Sequence, residues 1–389
     1  ISTGESSAHG VVLSDYDGDG KLDIAVSTYN SNTNAVNVYR NTTVFGSITL
    51  STTPKRLLTL NSTYEYKFGL ASGDLDSDGR PDIVVTDGYN AQFGSVYSLI
   101  SVFRNLSISG TIDFAADQLI SIGSRTNPIA VAIGDLNKDG KPDIVVSSEN
   151  TTGLSILQNN STIGTISLVL VQTLTTGVVT TQGVAIGDFD GDNNPDIVVN
   201  NYTASGYVSF FRNTNSTTGT ISFTATAVTV TTGNSSYRGE GVGDFDGDGK
   251  IDLAVGNWGS NDMTVLKNTS TLGSISFTRG FSGQNYVTGT NPYYLTVGDM
   301  NGDGRPDIAV SNYSSNTISL FRNIQLQPVV VSAFTPTSGP LGTLVTITGL
   351  NFNPTANKNV VFFGATSATV QSVAGSTTLT VVVPPGANY

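Results

Sequence analysis

Six acidic loops with the same spacing contain the residues of this 389-residue chain that are best suited to chemistry. The first loop reads Asp15-Tyr-Asp-Gly-Asp-Gly-Lys-Leu-Asp23. Together the loops hold 22 of the 30 acidic residues. Several carboxylates within nine residues repel one another unless a cation neutralises them. The pattern therefore predicts six cation-binding loops, beginning at Asp15, Asp74, Asp135, Asp188, Asp244 and Asp299.

Calcium is the cation that fits this pattern. Positions 1, 3, 5 and 9 supply side-chain oxygens, and position 7 supplies a backbone carbonyl, which suits the flexible oxygen shell of Ca²⁺ better than the strict octahedron of Mg²⁺. Glycine at position 6 permits the sharp turn, and Asn193 is the residue type that best replaces it. We expect about six Ca²⁺, which would cancel the formal net charge of −12. The predicted ligands are Asp15, Asp17, Asp19, Lys21 and Asp23; Asp74, Asp76, Asp78, Arg80 and Asp82; Asp135, Asn137, Asp139, Lys141 and Asp143; Asp188, Asp190, Asp192, Asn194 and Asp196; Asp244, Asp246, Asp248, Lys250 and Asp252; Asp299, Asn301, Asp303, Arg305 and Asp307.

Two other interpretations of the loops fit the sequence less well. An EF-hand requires a bidentate Glu at position 12 and flanking helices, whereas position 12 is valine in all six loops and the flanks have strand character. Asp-Gly sequences also occur in ordinary hairpin turns, but six loops in the same register favour a metal site.

The segments around each loop predict an all-β fold. The loops recur about every 57 residues, and each copy contains four short runs of β-branched residues bounded by Gly, Asn and Ser. Four-stranded units that stack radially form a β-propeller, and a linear solenoid is the geometric alternative. The sixth copy stops after its third strand, and residues 1–4 resemble the end of a fourth strand that would complete it. We expect six visible blades over residues 1–323, with a seventh blade as the alternative.

The end of the chain predicts a second domain. Residues 324–328 form a short linker, and residues 329–389 contain no acidic residue. Short apolar strands and turn signals there predict an immunoglobulin-like β-sandwich whose final strands are missing. We expect either that the parent protein continues beyond Tyr389 or that a neighbouring subunit supplies a strand.

The sequence Gly243-Asp-Phe-Asp-Gly-Asp-Gly-Lys-Ile-Asp-Leu-Ala-Val255 resembles the repeats of the FG-GAP/VCBS group, which occurs in integrin α-subunit propellers, fungal propeller lectins and bacterial surface proteins. The resemblance covers residues 1–323, although Phe68-Gly69 is the best remnant of the Phe-Gly element that names the group. Members of the group usually have seven blades. Residues 329–389 resemble an IPT/TIG domain. The resemblance of residues 1–323 to the FG-GAP/VCBS group implies a calcium-loaded adhesion or lectin module.

Aromatic residues and amides cluster at the ends of the second strands and before the first strands. If each acidic loop joins the first two strands, these residues lie on the opposite face of the propeller. Aromatic rings beside hydrogen-bonding groups suit either a glycan or a protein partner, although such residues are also common in turns. The candidate ligand-binding residues are Tyr29, Tyr89, Tyr202, Trp258, Tyr313, Tyr64, Tyr237 and Tyr293.

Composition excludes several classes of function. The chain has no cysteine and one histidine, so disulfide frameworks, zinc fingers and thiol nucleophiles are excluded. An excess of acidic residues argues against nucleic acid, and no apolar run is long enough for membrane insertion. The remaining carboxylates, such as Glu149, Glu240 and Asp262, show no catalytic pairing, so we expect no enzyme.

The favoured hypothesis is an extracellular or cell-surface adhesion or scaffold module, with any export signal removed before residue 1. Self-assembly through the IPT/TIG-like domain belongs to this hypothesis. The alternative is a lectin that binds glycans through the aromatic face.

Overall fold

The structure is a computed structural model that describes residues 7–29, 35–43, 49–58, 67–87, 98–123, 127–149, 153–177, 180–203, 206–232, 239–280, 285–324, 329–364 and 366–387. Tertiary contacts divide the chain into two compact units, which are described separately. The first is Ile1–Gly243 with Lys250–Arg322, and the second is Asp244–Gly249 with Asn323–Tyr389.

The first unit consists of consecutive antiparallel sheets in which the strand order follows the chain. Sheets 1 to 3 have four strands each. Sheet 1 contains β1 (Ser7–Ser14), β2 (Asp23–Tyr29), β3 (Ala35–Tyr39) and β4 (Lys55–Leu58); sheet 2 contains β5 (Lys67–Gly73), β6 (Asp82–Asp87), β7 (Leu99–Phe103) and β8 (Gln118–Ser121); sheet 3 contains β9 (Asn127–Gly134), β10 (Asp143–Glu149), β11 (Gly153–Asn159) and β12 (Leu168–Thr175).

The next three sheets vary this plan slightly. Sheet 4 has four strands, sheet 5 adds a short strand that pairs with its third strand, and sheet 6 has three strands among the described residues. Sheet 4 contains β13 (Thr181–Gly187), β14 (Asp196–Asn201), β15 (Tyr207–Phe211) and β16 (Val228–Thr231); sheet 5 contains β17 (Glu240–Gly243), β18 (Asp252–Asn257), β19 (Asp262–Asn268), β20 (Phe277–Arg279) and β21 (Tyr286–Val287); sheet 6 contains β22 (Pro292–Gly298), β23 (Asp307–Asn312) and β24 (Thr317–Phe321).

Burial along the strands shows that the sheets are stacked face to face. The second strands β6, β14 and β18 are buried at every position, which requires a covered sheet on both faces. The outer strand β12 instead alternates between exposed side chains and side chains that are buried or half-buried. Apolar side chains of successive sheets form shared clusters, such as Val102 of sheet 2 with Ile144 and Leu157 of sheet 3. This is the arrangement of propeller-like blades, and it confirms the predicted all-β repeat fold.

The expected closing strand at residues 1–4 lies outside the described residues. Sheet 6 therefore has no described fourth strand, and its outer strand β24 exposes 70 % of Ile318 and 68 % of Leu320.

The C-terminal residues form a small β domain with its own core. One sheet has the order β25 (Val330–Thr335), β26 (Leu344–Leu350), β30 (Thr378–Val382) and β29 (Val370–Ala374). A second sheet pairs β27 (Val361–Phe363) with β28 (Thr366–Ala368), and a 3₁₀ turn spans Ala356–Lys358. Val345, Ile347, Phe352 and Leu379 belong to its apolar core. The described residues contain no helix that is both long and apolar enough to cross a bilayer.

Candidate functional site

The six acidic loops, numbered 1 to 6 in chain order, join the first two strands of each sheet. Position 1 follows the first strand, and position 9 begins the second strand, as Asp15 and Asp23 do around β1 and β2. Position 6 has a positive φ in every loop, including Asn193 at 64° in loop 4. The prediction that this asparagine replaces glycine in a left-handed turn is confirmed.

The aspartate at position 1 shapes each loop through its backbone. Asp15 accepts hydrogen bonds from the amide of Asp19 at 3.1 Å and from the amide of Gly20 at 2.8 Å. The same pair of bonds recurs in the other five loops. The loop is thus wound around its first carboxylate.

The aspartate at position 9 connects the loop to the third strand. Asp82 Oδ2 accepts from the amide of Leu75 at 2.9 Å, and Asp82 Oδ1 accepts from the amide of Asn105 at 2.8 Å. Both bonds also occur in loops 1, 3 and 4. Because burial disfavours the ionised form, the pKa is raised to about 7 for Asp82 and Asp196 and to about 6 for Asp143. A bound cation would offset this desolvation cost.

Four of the six loops bring three carboxylates together, each offering a ligand oxygen within 4.8 Å of the others. These donors are hard oxygens, which fit Ca²⁺. Loops 3 and 6 carry Asn137 and Asn301 at position 3, so their clusters hold fewer carboxylates. The clusters are Asp15, Asp17 and Asp19; Asp74, Asp76 and Asp78; Asp188, Asp190 and Asp192; Asp244, Asp246 and Asp248.

In loops 1, 2, 4 and 6, the arginine after the third strand contacts the loop, an interaction that was not among the predictions from the sequence. Arg40 Nε lies 2.5 Å from Asp17 Oδ2, and its terminal nitrogen lies 2.7 Å from Asp19 Oδ2. Hydrogen bonding to Asp17 raises the pKa of Arg40. The equivalent ion pairs are Arg104 with Asp76 and Asp78, Arg212 with Asp190 and Asp192, and Arg322 with Asp303. Loops 3 and 5 have Gln158 and Lys267 at this place.

The side chains at position 7 take several roles. Lys141 Nζ donates to the carbonyl of Ser161 at 2.7 Å, and Lys250 Nζ donates to that of Ser270 at 2.7 Å. Arg80 and Arg305 instead pair with the position-5 carboxylate of their own loop. The use of the position-7 carbonyl as a metal ligand stays a prediction.

Loops 1 to 5 are also hydrogen-bonded to the following sheet. The asparagine that follows the third strand donates its side-chain amide to the position-2 carbonyl of the preceding loop; Asn213 Nδ2, for example, lies 2.8 Å from the oxygen of Leu136. Glycine amides of the following sheet also donate into the loops, from Gly110 to Asp17 and from Gly164 to Asp76. The other asparagine pairs are Asn105 with Tyr16, Asn159 with Leu75, Asn268 with Phe189, and Asn323 with Phe245.

Three of the eight candidate ligand-binding residues meet at one place. The ring centroids of Trp258, Tyr293 and Tyr313 lie 5.6–5.8 Å from one another, and Tyr313 is 63 % exposed. Tyr294 packs edge-on against Tyr293 with centroids 4.9 Å apart. This set of four rings is called the aromatic cluster below.

The other candidates are not part of this cluster. Tyr202 is 45 % exposed and follows β14 in sheet 4. Tyr64, Tyr89 and Tyr237 lie outside the described residues, as does the side chain of Tyr29.

Family comparisons agree with the repeat structure. The model of the FG-GAP-like repeat matches residues 15–85, 74–146, 135–199, 188–255 and 244–310. The model of the IPT/TIG domain matches residues 328–388. Together these matches cover most of the chain and confirm the resemblance derived from the sequence.

Curated relatives are distant and longer. The chain is 22 % identical to cartilage acidic protein 1 of Xenopus tropicalis over 78 % of its length, and 24 % identical to that of Mus musculus over 82 %. It spans about half the length of these relatives. In a crystal structure of BBS1N in complex with ARL6DN, the aligned chain is 12 % identical to this one, with a TM-score of 0.51. The alignment covers 99 % of this chain and 95 % of that chain. At this identity, the similarity supports the fold alone.

Proposed function

Since this chain belongs to the family of FG-GAP-like repeat proteins, we propose that it is an extracellular adhesion or surface-scaffold module stabilised by calcium. The observation that carries the proposal is the array of acidic loops, of which loops 1 to 5 are hydrogen-bonded to the following sheet, together with an IPT/TIG domain. Similarity to cartilage acidic protein 1 over most of the chain supports an adhesion-type role.

Calcium would bind to the carboxylate clusters of loops 1, 2, 4 and 5, with loops 3 and 6 as the weaker candidates. When bound, the ion would neutralise carboxylates that repel one another. Loop residues already contact the following sheet, since Asp17 and Asp76 accept hydrogen bonds from its backbone amides. Occupied loops would therefore stiffen the stack of sheets, which suits a module that must keep its shape under load outside the cell.

The proposal describes a binding module rather than an enzyme. Three carboxylates outside the loops accept hydrogen bonds from side-chain amides. Glu240 accepts one from Asn200 at 2.6 Å, and Asp262 accepts one from Asn257 at 2.6 Å. Glu149 accepts hydrogen bonds from Asn127 and Gln182. These amide contacts support a structural use for all three side chains.

The test of adhesion is binding of the calcium-loaded chain to a panel of immobilised extracellular-matrix proteins and to whole cells, repeated in chelator. Saturable binding in calcium that disappears in chelator would support the proposal. The variant Asp190→Asn, which removes one carboxylate from loop 4, should weaken this binding, whereas Asp113→Asn, at an exposed ion pair with Lys55, should not. Binding that is equal with and without calcium would contradict the calcium part of the proposal.

A lectin activity is the second candidate, and the aromatic cluster is the observation that favours it. A sugar ring stacks on an aromatic face while neighbouring polar groups bind its hydroxyls. Trp258 is the only tryptophan of the chain, so its fluorescence reports directly on this surface. Glycans that bind there should quench or shift that emission, and Trp258→Ala should abolish binding while Tyr202→Ala should leave it unchanged. Glycan binding that survives Trp258→Ala would reject this site.

A further inference from the structure

Aliphatic side chains stand at the tips of three hairpins in the repeat unit. Each hairpin follows the third strand of its sheet and reverses in a two-residue turn. Ile163 and Leu272 are the first residues of the turns in sheets 3 and 5, and Ile108 directly precedes the turn in sheet 2. These three side chains are 74 %, 77 % and 68 % exposed, respectively. Scattered single apolar residues are normal on a protein surface, whereas these three recur at the same place in three sheets, and we call them the aliphatic tips.

The aliphatic tips of sheets 2 and 3 lie beside acidic loops of the preceding sheets. The glycine of each turn donates its backbone amide to the position-3 carboxylate of that loop. Gly110 donates to Asp17 of loop 1 at 3.0 Å, and Gly164 donates to Asp76 of loop 2 at 2.8 Å. The aliphatic tips of these two sheets therefore stand next to predicted calcium ligands.

The aliphatic tip of sheet 5 lies beside loop 4. A Cβ placed on Gly273 would lie 3.5 Å from a terminal nitrogen of Arg212. That nitrogen is 2.6 Å from a carboxylate oxygen of Asp192 in loop 4. All three aliphatic tips thus adjoin loops that bring three carboxylates together.

The hairpin of sheet 4 provides an internal comparison. Its tip is Thr217-Thr218-Gly219, and both threonines are exposed. The amide of Gly219 donates to the carbonyl of Asn137 in loop 3 at 2.8 Å. Loop 3 has this asparagine at position 3, where loops 1, 2 and 4 have aspartate. Among the described hairpins of sheets 2 to 5, aliphatic tips accompany the carboxylate-rich loops, and the polar tip accompanies the loop with fewer carboxylates.

The charge beside the aliphatic tips decides when they can enter an apolar medium. Loop 1 has four carboxylates and pairs with Lys21 and Arg40, and loop 2 has four carboxylates and pairs with Arg80 and Arg104. Each loop keeps a formal excess of two negative charges, which one Ca²⁺ would cancel. Without a cation, this charge repels anionic lipids and opposes the transfer of the neighbouring side chain into a low dielectric. Entry of the aliphatic tips into lipid therefore requires occupied loops.

We propose that the aliphatic tips insert into the surface of an anionic phospholipid membrane when the neighbouring loops hold calcium. The proposal rests on the calcium sites of the proposed function and names lipid as a partner of the module. The side chains of Lys21 and Arg80, at position 7 of loops 1 and 2, are 42 % and 38 % exposed and would contact lipid phosphates. The chain would lie on the membrane surface and would not cross the bilayer.

A membrane fits the aliphatic tips better than a protein partner does. The core of a protein interface is a continuous patch from which charged residues are depleted. The aliphatic tips instead belong to separate hairpins, and each lies beside a charged loop. A fluid lipid surface receives separate side chains between its headgroups, and the headgroup layer tolerates the charges beside them.

Sedimentation with lipid vesicles tests the proposal on the full chain. The vesicles contain equal parts of phosphatidylcholine and phosphatidylserine, and control vesicles contain phosphatidylcholine alone. We expect the chain to sediment with the mixed vesicles in millimolar calcium. Binding should be at least about tenfold weaker with the control vesicles, and equally weak with the mixed vesicles in chelator. Binding to mixed vesicles that is the same in calcium and in chelator would contradict the proposal.

A triple variant tests the role of the aliphatic tips. Ile108→Thr with Ile163→Thr and Leu272→Thr copies the polar tip of sheet 4, and the exposed positions should tolerate the change. We expect the affinity for mixed vesicles to fall at least about tenfold at the same calcium concentration. Val169→Thr, at a side chain that is 46 % exposed on the outer strand β12, is the matched control and should bind like the unmodified chain. Unchanged affinity in the triple variant would overturn the proposal.

Tryptophan fluorescence tests insertion directly. Trp258 is the only tryptophan of the chain, so Leu272→Trp in a Trp258→Phe background places a single reporter at an aliphatic tip. Lipid with brominated acyl chains should quench this reporter in calcium and should not quench Val169→Trp in the same background. Vesicle binding without quenching of the reporter at position 272 would show that the tip stays outside the acyl layer and would reject insertion.

Counting bound calcium on the same preparations separates this proposal from the one on which it rests. Bound calcium without vesicle binding would overturn the lipid proposal and leave the calcium sites standing. A folded chain that binds no calcium would overturn both. If neither chain bound vesicles and the triple variant alone lost binding to an immobilised protein, the aliphatic tips would be a protein contact and the lipid proposal would be wrong.

Discussion

The repeat sheets and the C-terminal domain are both built from β-strands, yet they are held together by different forces. Residues 329–389 contain no acidic residue, and their core is a cluster of apolar side chains. The repeats share apolar clusters as well, but asparagine amides also join successive sheets, and four of the acidic loops carry an arginine paired with their carboxylates. We therefore expect the repeats to respond strongly to cations and pH, and residues 329–389 to respond little.

Removal of calcium should give the largest contrast between the two regions. At a free concentration 100 times the Kd, each bound ion adds about 2.7 kcal/mol to the unfolding free energy, so four sites add about 11 kcal/mol. We expect chelation to lower the Tm of the repeats by more than about 10 °C and to leave the C-terminal transition unchanged. Differential scanning calorimetry of the full chain measures both transitions. Equal shifts in the two Tm values would contradict the claim that calcium stabilises the repeats alone.

Loss of one asparagine between sheets should give the next largest effect. Asn213→Ala removes a buried side-chain bond to the carbonyl of Leu136 and a partly buried one to the carbonyl of Pro195. We expect a loss of about 2–4 kcal/mol in the unfolding free energy of the repeats. Denaturant unfolding measures it.

Asn41→Ala is the matched control for that variant. The side-chain amide of Asn41 donates to the carbonyl of Leu22 in its own sheet, and this bond is exposed. We therefore expect a loss below about 1 kcal/mol in the unfolding free energy. Equal losses for both variants would show that the contact between sheets contributes nothing special.

One part of the pH response should come from Glu240, which lies on β17 where the other five copies have an aliphatic residue. Burial raises the pKa of Glu240 well above its usual value of 4.5. The unfolded chain therefore ionises first as the pH rises, and the folded repeats lose stability above about pH 4.5 until the folded group also ionises. Glu240→Gln should raise the Tm by a few degrees at pH 8 and little at pH 4. The Tm of the C-terminal transition is the internal reference, and a pH-independent gain in the repeats would contradict the assignment.

Arginine pairing should have the smallest effect of the four. Arg212 lies 2.5 Å from a carboxylate oxygen of Asp190 and 2.6 Å from one of Asp192. Its positive charge therefore disfavours the binding of Ca²⁺ to the same carboxylates. Arg212→Gln should strengthen calcium binding at loop 4 by about tenfold or less, which corresponds to about 1.4 kcal/mol or less. Titration calorimetry against Arg279→Gln, which lies outside the loops, measures the change. Weaker binding in Arg212→Gln would mean that the arginine organises the site instead.

The sequence predicted what depends on local pattern. The repeats, the strands around each loop and the left-handed turn at Asn193 all follow from neighbouring residues, and the structure agrees. The asparagine contacts between sheets could not be predicted from neighbouring residues. Asn105 and Tyr16, for example, are 89 residues apart and meet only when two sheets stack. The roles of Arg40 and its counterparts were missed for the same reason, although the recurring Arg-Asn pair after the third strand was the available signal.

The central claim is that the acidic loops bind calcium, and the number of ions bound to the folded chain tests it most directly. The protein is stripped with chelator, dialysed against calcium at several millimolar and analysed by native mass spectrometry and by equilibrium dialysis. The account predicts at least four bound ions, one for each three-carboxylate cluster, and no more than six. It also predicts that Asp190→Asn removes one ion. A folded chain that binds no calcium at these concentrations would contradict the account.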